Sequence, residues 1–355
     1  MMTVVFSCAS RQERESYDSS SRFRDGKFHN DAALDANDIK TMSNILWRYV
    51  SETRTDATPA QPIPLQAMTK DELIVDNTQE AAIYRLGHSS LLLAFADEFW
   101  LIDPVFSERA SPLQWMGPKR FHPTPIALDQ LPKIRGVIIS HDHYDHLDRE
   151  TITQLKDQVD YFVTPLGVGQ HLRSWGVELD RIHELDWWQD VSLGKVNLTA
   201  TPAQHFSGRG LLDGNHTLWA SWVIRIDQAS LFFSGDSGYF DGFKEIGERL
   251  GPFDLTMIES GAYDRDWSQV HMTPEETMQA HIDLRGRALM PVHNGTFDLA
   301  LHPWNEPFER LAVLAQENQV PLVTPVMGER APLIKISQYH AWWRETPEIK
   351  TVKSL

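Results

Sequence analysis

The chain has 355 residues, enough for one large domain or two ordinary ones, and its 41% hydrophobic and 23% charged residues describe a globular chain rather than a disordered one. Asp and Glu number 49 against 33 Lys and Arg, and this net charge of −16 argues against nucleic acid held through the overall field. No run approaches the ~18 apolar residues of a spanning helix, which excludes a polytopic membrane protein, and one cysteine excludes any intrachain disulfide framework.

That cysteine, Cys8, follows the apolar stretch Thr3–Phe6 and precedes the polar segment Arg11–Ser21, an order that resembles the end of a bacterial lipoprotein signal. No Lys or Arg stands before the stretch and Phe6 fits poorly, so a frayed amino-terminus with a free thiol is the alternative. Residues 1–80 read as an arm and linker. Asp38–Val50 has the spacing of a helix, with Ile39, Met42, Ile45, Leu46 and Val50 recurring on one side. Ser51–Pro64 reads as an extended, Pro-rich connector.

From residue 81 to 345 the pattern is that of one domain. Short apolar runs bounded by Gly, Pro or Asp predict strands at Ala82–Leu86, Ser90–Ala94, Phe99–Ile102, Val137–Ser140, Tyr161–Thr164, Val196–Ala200, Trp219–Ile226, Leu231–Ser234, Leu255–Glu259 and Ala288–Val292. Helices are predicted at Glu150–Gln158 and Pro274–Asp283, the second with proline and two glutamates in its first turn. Strands buried on both faces with helices outside them make an α/β sandwich.

The densest chemistry is Ser140-His141-Asp142-His143-Tyr144-Asp145-His146-Leu147-Asp148, directly after a strand. Alternate residues of an extended segment project to one side, so His141 and His143 can share a metal, while Asp145 and His146 on the following turn point to a second. Three later strands each end in a further candidate: His205, Asp236 between Gly235 and Gly238, and His293. Singly each reads as an ordinary loop residue. Together they make five histidines and two aspartates, enough for two metals with a bridging carboxylate.

This set resembles the metallo-β-lactamase-fold hydrolases. Within them the chain is most similar to the N-acyl-phosphatidylethanolamine-hydrolysing phospholipase D family. Asp103–Pro112, Gln114–Phe121, Glu184–Trp188, Trp219–Trp222, Phe232–Tyr239 and His293–Phe297 carry the likeness, over about residues 82–340. The resemblance implies a four-layer αββα sandwich with a dinuclear site at the sheet edge. It also implies one metal on His141, His143 and His205, a second on Asp145, His146 and His293, and Asp236 bridging. Two divalent ions are implied, with zinc the leading candidate; such a pair supplies hydroxide near neutral pH and neutralises an attacked phosphodiester.

Asp145 then serves the catalytic centre as a ligand, Asp103 orients the metal loop, and His271 faces the substrate or, alternatively, only shapes a helix entry. Trp115, Met116 and Phe121 lie among Gly and Pro on a loop and are candidate substrate contacts, whereas Trp187 and Trp188 read as core.

The implied reaction is phospholipase D-type cleavage of a phospholipid presented by a membrane, with no nucleic acid partner and a homodimer admitted. Two alternatives stand beside it: hydrolysis of a small soluble ester, lactone or sugar phosphate, and a non-catalytic metal-binding envelope protein. The chain is expected to be soluble or peripheral to a membrane, anchored through Cys8 if that residue is lipidated and cytoplasmic otherwise.

Overall fold

Alternation decides which way each strand faces. In the computed structural model, residues 17, 19–32, 34, 47–48, 51–52, 54–76, 80–210, 212–333, 336 and 339–345 are described. Cys8 and the predicted helix Asp38–Val50, save Trp47 and Arg48, lie outside the described residues. The arm contributes a small hairpin, β1 (Phe23–Arg24) with β2 (Lys27–Phe28), and the short helix α1 (Lys70–Asp76).

The first sheet holds β3 (Ala82–Gly87), β4 (Ser90–Phe95), β5 (Glu98–Ile102), β6 (Ile134–Ile138), β7 (Val159–Pro165) and β8 (Ile182–Leu185), with β15 (Arg330–Pro332) beside β3. The second holds β9 (Asp190–Leu193), β10 (Val196–Thr201), β11 (Ser221–Ile226), β12 (Ala229–Phe233), β13 (Leu255–Glu259) and β14 (Leu289–Val292) in sequential order. Each sheet starts antiparallel and turns parallel: β5 to β8 run parallel in the first, β12 to β14 in the second.

Ile83, Leu91, Leu93, Trp100 and Ile138 point inward and meet Leu198, Trp222, Ile224, Phe233 and Met257 of the facing sheet. Their neighbours Tyr84, Leu92, Leu101 and Val137 point outward, where Ile152 and Leu155 of α2 (Arg149–Leu155) and Leu172 of α3 (Gly169–Ser174) cover them. On the far side Val223, Phe232, Ile258 and Leu289 lie under α4 (Gly242–Leu250), α5 (Pro274–Asp283) and α6 (Glu306–Asn318). The period of two therefore produces three apolar layers, and the fold is a four-layer αββα sandwich. Among the described residues no helix is long and apolar enough to cross a membrane.

Several boundaries differ from expectation by one to three residues, two of them for a clear physical reason. The strand expected to reach Ser140 ends at Ile138, because Ser140 leaves the ladder to bind Asp103 through its amide and its hydroxyl. The strand expected from Trp219 begins at Ser221, because the Trp219 indole turns aside to the Ala203 carbonyl. Helix α5 starts where expected, closed by a reciprocal cap between Thr273 and Glu276.

Candidate metal centre

Every ligand candidate stands on a loop between or just beyond strands, at one edge of the sandwich. The loop after β6 carries His141, His143, Asp145 and His146; His205 follows β10, Asp236 follows β12 and His293 follows β14. Gly235 lets the Asp236 loop close down on the metal loop, since a Cβ there would sit 2.6 Å from that of Ser140, and its φ of +55° lies in the left-handed region.

Two groups of four donors result, and Asp236, His271 and His293 make a third, overlapping set among the described residues. His141, His143, His205 and Asp236 form one, with Nε2 of His141 2.9 Å from Nδ1 of His143 and Nε2 of His205 3.3 Å from the same atom. Asp145, His146 and His293 form the other together with His88. There Oδ2 of Asp145 lies 3.1 Å from Nε2 of both His88 and His293. Asp236 serves both groups: its Oδ2 is 2.9 Å from Nε2 of His293 and 3.8 Å from Nε2 of His141 and of His205.

These residues fit divalent metal. Nε2 of His146 and Oδ1 of Asp236 are buried and make no hydrogen bond although they lie 3.1 Å apart, as expected of two lone pairs aimed at a common cation. Imidazole and carboxylate are the donors that zinc, manganese and iron accept.

The electrostatics point the same way. Burial works to raise Asp236 and Asp145, but the imidazoles of His146 and His293 outweigh it and hold both carboxyls well below the usual range. Burial, with help from neighbouring imidazoles, holds His141 and His205 well below the usual histidine value and so neutral, the ligating form. Burial also opposes protonation of His293, but Asp236 and Asp145 push it up to about 10. The carboxylates thus draw positive charge into the site. A metal dication answers that demand and displaces the imidazole protons.

A second set of contacts fixes the ligands. Asp103 is fully buried and accepts from the Ser140 amide at 2.7 Å and from Nδ1 of His146 at 2.6 Å, which fixes the His146 tautomer. Nδ1 of His205 donates to the Val270 carbonyl at 3.1 Å. His271 is placed with a ring nitrogen within 4.8 Å of ligand atoms of Asp236 and His293, and its Nδ1 lies 3.3 Å from the buried carboxylate of Glu259. Asp142, between two ligands, faces away and accepts from the Gly208 amide and the Thr217 hydroxyl.

Comparison with known proteins now places the chain. A model described as a β-lactamase superfamily domain matches residues 100–294. The chain belongs to the β-lactamase superfamily. It is 34% identical to N-acyl-phosphatidylethanolamine-hydrolyzing phospholipase D 1 of Caenorhabditis elegans, over 81% of this chain and 87% of that one. It is 43% identical to an uncharacterised protein of Mycobacterium tuberculosis, over 92% of this chain and 88% of the other. A solved isothiocyanate hydrolase from Delia radicum gut bacteria shares the fold at a TM-score of 0.56 and 18% identity, covering 73% of this chain and all of that one.

The surface around the centre is built by loops. The segment between Ser107 and Arg120 closes on itself through an antiparallel bridge of Arg109 with Lys119. Its base is tied to the site: the Ser107 amide donates to Asp148 and the Phe121 amide to the Thr296 carbonyl. Trp115 at the tip is 74% exposed and Met116 53%. Phe121 does not join them. It packs half-buried against Phe308 and Trp304 and lines a small hollow beside Asn294 and Phe297. Trp187 and Trp219 are buried in the core, and Trp188 is half-buried against it.

His88 is the site residue that sequence reasoning misses. It sits at the turn between β3 and β4 in Gly87-His88-Ser89, 1% exposed, where burial pushes it down to about 3. The signal was present: a polar turn between two wholly apolar strands, with a histidine that has no reason to be buried unless it meets something.

Proposed function

We propose that this hydrolase is a dinuclear, zinc-dependent phosphodiesterase of phospholipase D type that acts on an N-acyl-phosphatidylethanolamine-like lipid. The observation that carries the reading is a pair of donor groups side by side, with Asp236 of the first 2.9 Å from His293 and 3.1 Å from His146 of the second, an arrangement that suits in-line displacement at a phosphodiester. The named activity of the C. elegans relative and the exposed apolar tip of Trp115 and Met116 support the choice of a lipid.

Bound at these groups, two divalent ions supply a hydroxide nucleophile and neutralise phosphodiester charge. The chain's own residues do the rest. Asp236 holds the two groups in register, and Asp103 keeps His146 aimed at the second. His271 is the imidazole placed to deliver a proton to the departing oxygen, with Glu259 behind it. One water is consumed: its oxygen joins phosphorus, the bond from phosphorus to the ethanolamine oxygen breaks, and that oxygen takes a proton. Phosphatidic acid and an N-acylethanolamine result.

Protein purified without chelator and reconstituted with zinc is expected to hold about two equivalents by elemental analysis, as in two-metal hydrolases. His293→Ala is expected to lose the second ion before the first. A value near zero for the unaltered protein overturns the ligand assignment.

The substrate is tested by incubating the zinc-loaded protein with a panel of phospholipids in bilayers and reading products by mass spectrometry. Phosphatidic acid is the expected product. Its absence from every lipid moves the reading to a small soluble ester, lactone or sugar phosphate. Trp115→Ala is expected to raise KM for lipid about 10-fold, the scale of one lost apolar contact, and to spare a short soluble diester. Equal damage to both substrates would remove Trp115 from the lipid-binding surface.

A further inference from the structure

Three described residues of the arm before residue 81 touch loops that carry or flank the metal-centre residues. Arg48 pairs with Asp264 at 2.5 Å and with Asp266, on the segment leading to His271. Arg54 pairs with Asp298 and donates to the Ala300 carbonyl at 2.6 Å, on the segment after His293. The third contact reaches a ligand directly. The Asn30 side-chain amide donates to the carbonyl of His205 at 2.7 Å, and its oxygen accepts from the His205 amide at 3.2 Å.

One side chain therefore engages both backbone groups of a ligand residue, as a neighbouring strand would. The same oxygen also accepts from the Trp219 indole at 3.2 Å. Asn30 itself is held by a docked element. The hairpin of β1 and β2 presents Phe28, fully buried, which meets Phe23 and Tyr17 ring to ring. The Phe28 amide donates to the Asn215 carbonyl at 2.8 Å, and Arg22 lies 4.2 Å over the Trp187 ring.

The His205 imidazole is aimed by Val270 at one end and its backbone is fixed by Asn30 at the other. Of the ligands in the first group, His205 alone has its backbone pinned by the arm among the described contacts. We infer that the amino-terminal arm completes the metal centre, with Asn30 a positioning residue for His205. The inference rests on the metal reading and not on the choice of a lipid substrate.

The test uses the full chain, stripped of metal and titrated with cobalt(II), whose visible absorption reports ligand geometry. Asn30→Ala removes all three contacts; Asn30→Asp keeps the acceptor and sets a carboxylate against the His205 carbonyl. Both are expected to weaken cobalt binding at the first site about 10–100-fold, the scale of losing a group that orients a ligand, and to change its absorption band. The second site should change less. Arg24→Ala, exposed on the same hairpin, should leave both sites as they are.

Circular dichroism melting of the metal-free variants separates positioning from folding, and Asn30→Asp carries the test if Asn30→Ala does not fold. Unaltered cobalt affinity and spectrum in a folded Asn30 variant overturns the proposal alone. A wild-type chain that takes up no cobalt overturns the metal reading, and this proposal with it.

Discussion

Asp236→Asn is expected to lower turnover by roughly 10²–10³-fold or more, the scale of losing one preorganised electrostatic group, while the fold survives. The substitution keeps shape and removes charge. That charge is what both donor groups share: Oδ2 meets His293 at 2.9 Å, and Oδ1 stands 3.1 Å from His146 with no hydrogen bond of its own. Without it the two positions lose their common ligand and their spacing.

Asp142→Asn is the matched comparison, because Asp142 is as deeply buried and sits between two ligands. Its oxygens are spoken for by Gly208, Thr217 and His171, all scaffold contacts. Its expected loss is therefore in stability, about 1–3 kcal/mol for buried groups left unpaired, read by chemical denaturation. Equal losses of kcat in the two variants would show that the bridging carboxylate is misassigned.

Asp103→Ala has the second large effect. Asp103 is a member of neither donor group, yet three buried donors converge on it: the Ser140 amide, the Ser140 hydroxyl at 2.5 Å and Nδ1 of His146. Alanine leaves the amide stranded and lets the His146 ring choose either tautomer. Breaking such a buried charged pair costs about 3–5 kcal/mol, and metal affinity at the second position should fall about 10–100-fold. Asp103→Asn keeps an acceptor for Ser140. It should recover part of the stability without recovering the metal affinity, which isothermal titration with zinc would distinguish. Recovery of both would reduce Asp103 to a packing residue.

The parts of the fold that could be read from the letters are those where composition and packing agree. Leu255–Glu259 and Pro274–Asp283 fall where expected, one because all its residues are buried, the other because its cap is local. Strand β9 escaped notice because it is an edge strand, with Asp190 and Ser192 in solvent and only Leu193 buried. Helix α3 has six residues, too few to show a period. In α6 the turn chemistry was hidden: it ends at Gln319 in a left-handed conformation that glycine would have announced.

At the site, ligands clustered within a few residues of one another, or following a strand, were legible. His88 also follows a strand, but it stands alone in a two-residue turn, so its signal is weak: its partners lie far away in sequence and nothing near it repeats the pattern. Asn30 was invisible for a stronger reason. Its importance comes from a docking geometry, and an asparagine on a polar arm looks like any other until the arm is placed.

The donors come from both sheets. His88 and the loop after β6 belong to the first, while His205, Asp236 and His293 belong to the second. A cation there is a rivet through the seam of the sandwich, driven only when the two halves are already together. Anything that binds the native chain alone stabilises it by about 4 kcal/mol when present at 1,000 times its dissociation constant. Scarcity of the ion would then act twice, slowing the catalyst and exposing the loosened halves to proteases, so that supply of metal would govern how much of this protein persists as well as how fast it works.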